Sequence, residues 1–218
     1  MMGTEGGPPS EPEWAGPPEN VIPGAIPLEL LLAASARAAV ALRGRAAYPN
    51  GFEFDLVARC RAAIAGELPS PSPFLLAGEH EFVHGRLSPR FLRFGLEFPD
   101  GRKVTNLPRS APGTGADPGA GPILSGRDGS ASNFAWQQTY WVWPLPPPGT
   151  LKFACAWPAF DIPESIVSVD SSLVIAAASR CAVIWPSEEL PPGLARGGAS
   201  WSGTRAYAPE QAAQEGQD

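Results

Sequence analysis

His80, Glu81 and His84 lie in the run HEFVH, residues 80–84, which has the H-E-x-x-H spacing of zinc peptidases. On a helix, positions i and i+4 share a face. Two such histidines can hold one Zn²⁺ while the glutamate activates a metal-bound water. A third ligand would have to be a carboxylate such as Glu97 or Asp100, because the chain has only two histidines. The longer form of the motif wants Gly and His further on, where this chain has Leu87 and Arg90. Gly78 and Gly85 bracket the stretch, Pro73 and Pro89 close the wider window, and Arg86 stands where an apolar residue usually packs the helix. The sequence therefore predicts a strand or loop over 79–84, with His80 and His84 on one face and Glu81 on the other. His80 and His84 are the only metal candidates, and no cofactor is expected.

Tyr140-Trp141-Val142-Trp143 is the second chemically distinctive run. Its apolar residues occupy both parities of a strand, so both faces are covered or one face presents aromatics to a partner. Under the first reading this is a central strand packed beneath the helix or the Gly-rich loop. Under the second, Tyr140, Trp141 and Trp143 form a binding surface, since aromatics bury much area at little entropic cost.

Other chemistries find little footing. There is no G-x-S-x-G nucleophile motif. Residues 110–131 are rich in glycine but lack the P-loop pattern and a strand-to-helix context, so a flexible connection is expected. PLPPPG, 144–149, contains P-x-x-P but reads as a stiff corner between strands, because Leu151 begins the next one. Cys155, between Phe153 and Trp157, reads as a small core residue.

The elements that must position these residues are mostly strands. Phe52, Phe54, Leu56, Ala58 and Cys60 alternate with more polar neighbours; so do Leu92, Phe94, Leu96 and Phe98, and Leu151, Phe153, Cys155 and Trp157. Each set predicts a strand with one buried face. YPNGF and FPDGR mark three-residue hairpin loops closed by a left-handed glycine. That loop length pairs Tyr48 with Phe52 and Arg45 with Asp55 in the first hairpin. In the second it pairs Glu97 with Lys103 and Leu96 with Val104. Further strands are expected at 26–33, 36–47, 134–143, 164–169 and 182–185. One short helix is expected near 171–180, capped by Asp170 or Ser171, with Arg180 at its C-terminal end. The expected fold is mainly β: an antiparallel β-sandwich of immunoglobulin-like type with that one helix, its rival being a small β-barrel.

Composition sets the outer limits. Hydrophobic residues make up 44% and charged residues 17% of 218, enough apolar material for one sizeable core. The net charge of -6 sits at the ends. Residues 1–24 hold four glutamates and no base, and 186–218 hold five acids against two arginines. A near-neutral middle predicts no nucleic-acid partner. The most apolar window, 25–42, is broken by Glu29 and Arg37, so no membrane span is expected. Three scattered cysteines and an acidic N-terminus predict reduced thiols and a cytoplasmic location. The expected organisation is a disordered acidic tail over 1–24, a β-sandwich domain over 25–186 with a flexible Gly-rich loop at 110–131, and a disordered tail over 187–218.

The segments YPNGFEF, FGLEFPDGR, YWVWPLPPPG and AWPAFDIPES resemble those of a family of uncharacterised β-rich proteins from high-GC bacteria. The resemblance spans about residues 36–186 and implies a cytoplasmic β-rich domain with no assigned activity and no catalytic residue to carry over. The leading expectation is thus a non-enzymatic binding or scaffolding module with a protein partner. The alternatives are a zinc-dependent hydrolase using HEFVH and a small-molecule sensor with a pocket between its sheets.

Overall fold

The strands follow from alternating side chains. A computed structural model describes residues 12–61, 68, 72–79, 82–107 and 121–186. In chain order the elements are β1 (Val21–Ile22), β2 (Gly24–Ala25), β3 (Glu29–Ala34), β4 (Ala38–Ala47), β5 (Phe52–Cys60), β6 (Phe82–Val83), β7 (Arg86–Leu87), β8 (Arg93–Glu97), β9 (Lys103–Thr105), β10 (Ile123–Ala131), β11 (Ala135–Trp143), β12 (Thr150–Trp157), β13 (Ile162–Asp170), α1 (Ser172–Ala178) and β14 (Ala182–Val183). The larger sheet runs β10-β11-β5-β4-β2, with β3 also on β4, and the smaller runs β13-β12-β8-β9. All pairings are antiparallel. This order does not reproduce the A-B-E-D and C-F-G sheets of an immunoglobulin domain.

The two sheets meet through aromatic side chains. The Phe54 ring lies 5.4 Å from Phe94 and 5.9 Å from Phe153, joining β5 to β8 and β12. Tyr140 of β11 stacks on Phe54 at 5.7 Å. The three alternating sets bury Phe52, Phe54, Leu56, Ala58, Leu92, Phe94, Leu96, Phe98, Leu151, Phe153, Cys155 and Trp157, as their parity predicts, while Cys60 at the end of β5 is only half-buried. Burial pushes the Cys155 thiol up to about 11, as suits a core residue. One long side of the sandwich is closed where Ser165 Oγ of β13 donates to Leu32 O of β3 at 2.7 Å. The opposite side, between β9 and β10, carries a cleft lined from both sheets.

The second hairpin has its expected register, Glu97 with Lys103 and Leu96 with Val104. The first does not. Ala47, not Tyr48, faces Phe52, and a bulge at Arg45 puts Arg43 rather than Arg45 opposite Asp55. The loop has four residues, closed by Tyr48 N donating to Gly51 O at 2.8 Å. Gly51 is required for space instead of for a left-handed φ. A Cβ there would sit 2.6 Å from the Trp141 ring and 2.5 Å from Val142 O.

Two further expectations change. Residues 123–131, placed in the flexible loop 110–131, form β10 paired along β11 with a shift between Gly126 and Gly129. As an edge strand exposed along much of its length, it has no buried face to produce alternation. Residues 110–120 of that loop lie outside the described residues, as does the tail 187–218. Residues 12–24, placed in the N-terminal tail, carry a turn, β1 and the start of β2, docked on the larger sheet. The helix stands as expected: Asp170 Oδ1 accepts from Ser172 N at 2.8 Å. Arg180 donates to Ala176 O and, across to β2, to Ala25 O. Among the described residues no helix is long and apolar enough to cross a membrane.

Candidate functional site

The HEFVH stretch does not form a zinc-peptidase helix. Phe82 and Val83 pair with Leu87 and Arg86 in a tight hairpin. His84 and Gly85 at its tip have φ of 52° and 74°, the left-handed values of a type I′ turn. A helix spanning 80–84 would need residues 82–84 in right-handed helical geometry. His80 and Glu81 lie outside the described residues, so the spacing within the triad is left there. Among the described residues no group of three His, Cys, Asp or Glu side chains could hold a metal ion.

Strand β11 sends its aromatic run to two places, because successive side chains leave a strand on opposite faces. Tyr140 points between the sheets, where burial raises its hydroxyl pKa and a hydrogen bond with Asn106 opposes the rise. It forms part of the floor of the cleft of about 640 Å³ at the β9–β10 side. Thr105, Asn106, Leu124, Ser125 and Gln138 also line this cleft, and none of its lining residues is charged. Trp143 is half-buried at the end of the strand, opposite Ile123, and its bond to Pro144 is cis.

Trp141 points to the outer face, yet it is 0% exposed. Among the described residues, the chain's own N-terminal segment covers it. Ala15 N donates to Pro12 O at 2.9 Å, folding residues 12–15 into a turn. Trp141 Nε1 donates to Trp14 O at 3.1 Å. Asn50 Nδ2, from the first hairpin loop, donates to Glu13 O at 2.8 Å and Gly16 O at 3.3 Å. Three backbone carbonyls of the turn are thus held by two side chains. Tyr48 completes the groove, its ring edge-on to Trp141 at 5.8 Å, and the Asn50 Oδ1 acceptor is buried there without a hydrogen bond.

Beside the groove lies a charged layer. Glu53 pairs directly across from Trp141, and Asp55 across from Thr139; both acids are buried, at 8% and 4% exposure. Asp55 accepts from Arg43 at 3.0 Å, Arg45 at 3.2 Å and the Thr139 hydroxyl at 2.8 Å. The bulge at Arg45 is what brings both arginines onto one carboxylate. Glu53 lies 3.7 Å from Arg127 Nε of β10. The sequence marks the aromatics of this site but not Tyr48, Asn50, Arg127 or the turn, whose contacts span up to 127 residues and leave no local pattern. No protein-family model, no curated protein and no solved structure matches this chain.

Burial raises the Glu53 pKa above its usual range, with Arg45 and Arg127 opposing the rise and Asp55 and Asp128 adding to it. The native state then holds this proton to higher pH than the unfolded chain. The stability from Glu53 is fully present below the unfolded pKa and falls as pH rises through the folded one. Relative to Glu53→Gln, the wild type should therefore lose unfolding free energy as pH rises above the ordinary carboxylate range, read from urea melts. A difference that stays constant with pH would count against this account.

Proposed function

We propose that the chain is a non-enzymatic binding module whose outer-face groove takes a Pro-rich turn of a polypeptide. The observation that carries this reading is the seat of residues 12–16, held at three backbone carbonyls by Trp141 and Asn50. Carbonyls are common to every peptide, so these donors can serve a segment supplied in trans. Aromatic walls with side-chain donors between them are a recurring way to hold Pro-rich chain. The intramolecular segment competes at an effective concentration near the millimolar range, so free peptide binds the native chain weakly.

A full-length variant with residues 12–18 replaced by a Gly-Ser run vacates the groove. It should bind a fluorescent peptide of residues 11–20, EPEWAGPPEN, measured by anisotropy. Adding Trp141→Phe, which keeps a ring but removes the donor, should weaken binding about fivefold. Absence of binding at millimolar peptide would reject the reading.

A small-molecule sensor is the second reading, supported by the cleft under Tyr140. Its volume of about 640 Å³ suits a small ligand, and its uncharged lining suits a neutral polar one. A thermal-shift screen of neutral metabolites against the intact chain tests it, and a screen without stabilisers would set it aside.

A further inference from the structure

We infer that the groove selects acidic segments, so that its partner is a Pro-rich peptide bearing glutamate or aspartate. This rests on the peptide-groove reading above. Two guanidinium groups edge the site: Arg45 and Arg127, whose side chains are 46% and 40% exposed. Their carboxylate partners are Asp55 for the first and Glu53 for the second, with side chains only 6% and 11% exposed. The cluster is therefore layered, with negative charge beneath and positive charge at the solvent surface. Each guanidinium has five N–H donors, so pairing with one buried carboxylate leaves donors for water or a ligand. The buried acids hold the arginines in place beforehand, which lowers the ordering cost of binding. Asp128 is the remaining acid near Glu53 and offsets part of the outer positive charge.

The layer touches the seated segment. A Cβ placed on Gly16 would lie 3.0 Å from Arg127 Nη1, so this guanidinium lies directly against the turn. Glu53, which Arg127 approaches to 3.7 Å, sits directly across from Trp141 in the ladder, so groove and charged layer adjoin. The occupant has matching chemistry: residues 12–20 carry Glu13 and Glu19 and no base. Carboxylate–guanidinium contacts are among the stronger hydrogen-bonded pairs, and exposed ones weaken with salt.

The test uses the full-length Gly-Ser variant and two labelled peptides, EPEWAGPPEN and its neutral counterpart QPQWAGPPQN. At about 50 mM salt the acidic peptide should bind about tenfold more tightly, and at about 0.5 M the two should converge. Arg127→Gln, checked to unfold with an unchanged midpoint, should narrow the low-salt gap between the two peptides several-fold. Equal affinity of the two peptides at low salt would overturn the acidic selection and leave the groove reading standing. Binding of neither peptide would overturn both.

Discussion

Trp141→Ala should lower the unfolding free energy by about 3–5 kcal/mol and release residues 12–18 from the sheet. The ring is fully buried, packs against Tyr48 and fills the space over Gly51 that any Cβ would occupy. Its loss opens a hole between the hairpin loop and the turn. It also removes the donor to Trp14 O. Two readouts separate these effects: denaturant midpoints at constant slope for stability, and amide exchange over 12–18 for the turn. Trp141→Phe should retain most of the packing and lose the hydrogen bond, for about 1 kcal/mol. A loss below 1 kcal/mol in the alanine variant, with exchange over 12–18 unchanged, would mean that Trp141 does not anchor the segment.

Phe54→Ala should cost a similar amount, about 3–5 kcal/mol, by a different route. Phe54 contacts Phe52, Phe94, Tyr140 and Phe153, the rings that join the two sheets. Truncation leaves a void at the centre of the sandwich, lined by aromatic side chains that cannot easily collapse. The turn over Trp141 sits on the other face of the sheet, so its exchange protection should persist in conditions where the variant remains folded. If Phe54→Ala freed residues 12–18 as fully as Trp141→Ala, the two faces would be coupled more tightly than their contacts imply.

The sequence reveals the inner faces well because burial imposes period two on the side chains. Phe52 to Ala58, Leu92 to Phe98 and Leu151 to Trp157 all carry that period, and each lies in the core. The helix near 171–180 was legible from its cap and from Arg180 at its end. β10 was not, since an exposed edge strand has little apolar selection on either face. The first hairpin misleads for a specific reason. Turn chemistry gives the loop position, but a bulge such as that at Arg45 shifts the register without a local signature. Trp141 and its neighbours were legible as a cluster, but their two-sided apolar pattern fits a covered outer face and a partner surface equally well. The identity of the cover was not legible, because hydrogen bonds from Trp141 to Trp14 and from Asn50 to Glu13 join distant parts of the chain. HEFVH shows the reverse fault, in which letters match a motif while Gly85 and the left-handed His84 fold it as a turn tip.

Because β11 gives Tyr140 to the cleft and Trp141 to the groove, the two surfaces share one reading frame. A single-residue insertion or deletion in the strand would exchange them, driving an indole into the cleft and a phenol under the turn. Length changes in β11 are thus closed to gradual evolution of either surface. Point substitutions at alternate positions remain open, and they can reshape one surface without editing the other. Divergent copies of this domain should accordingly keep the length of β11 fixed while its odd and even positions drift separately.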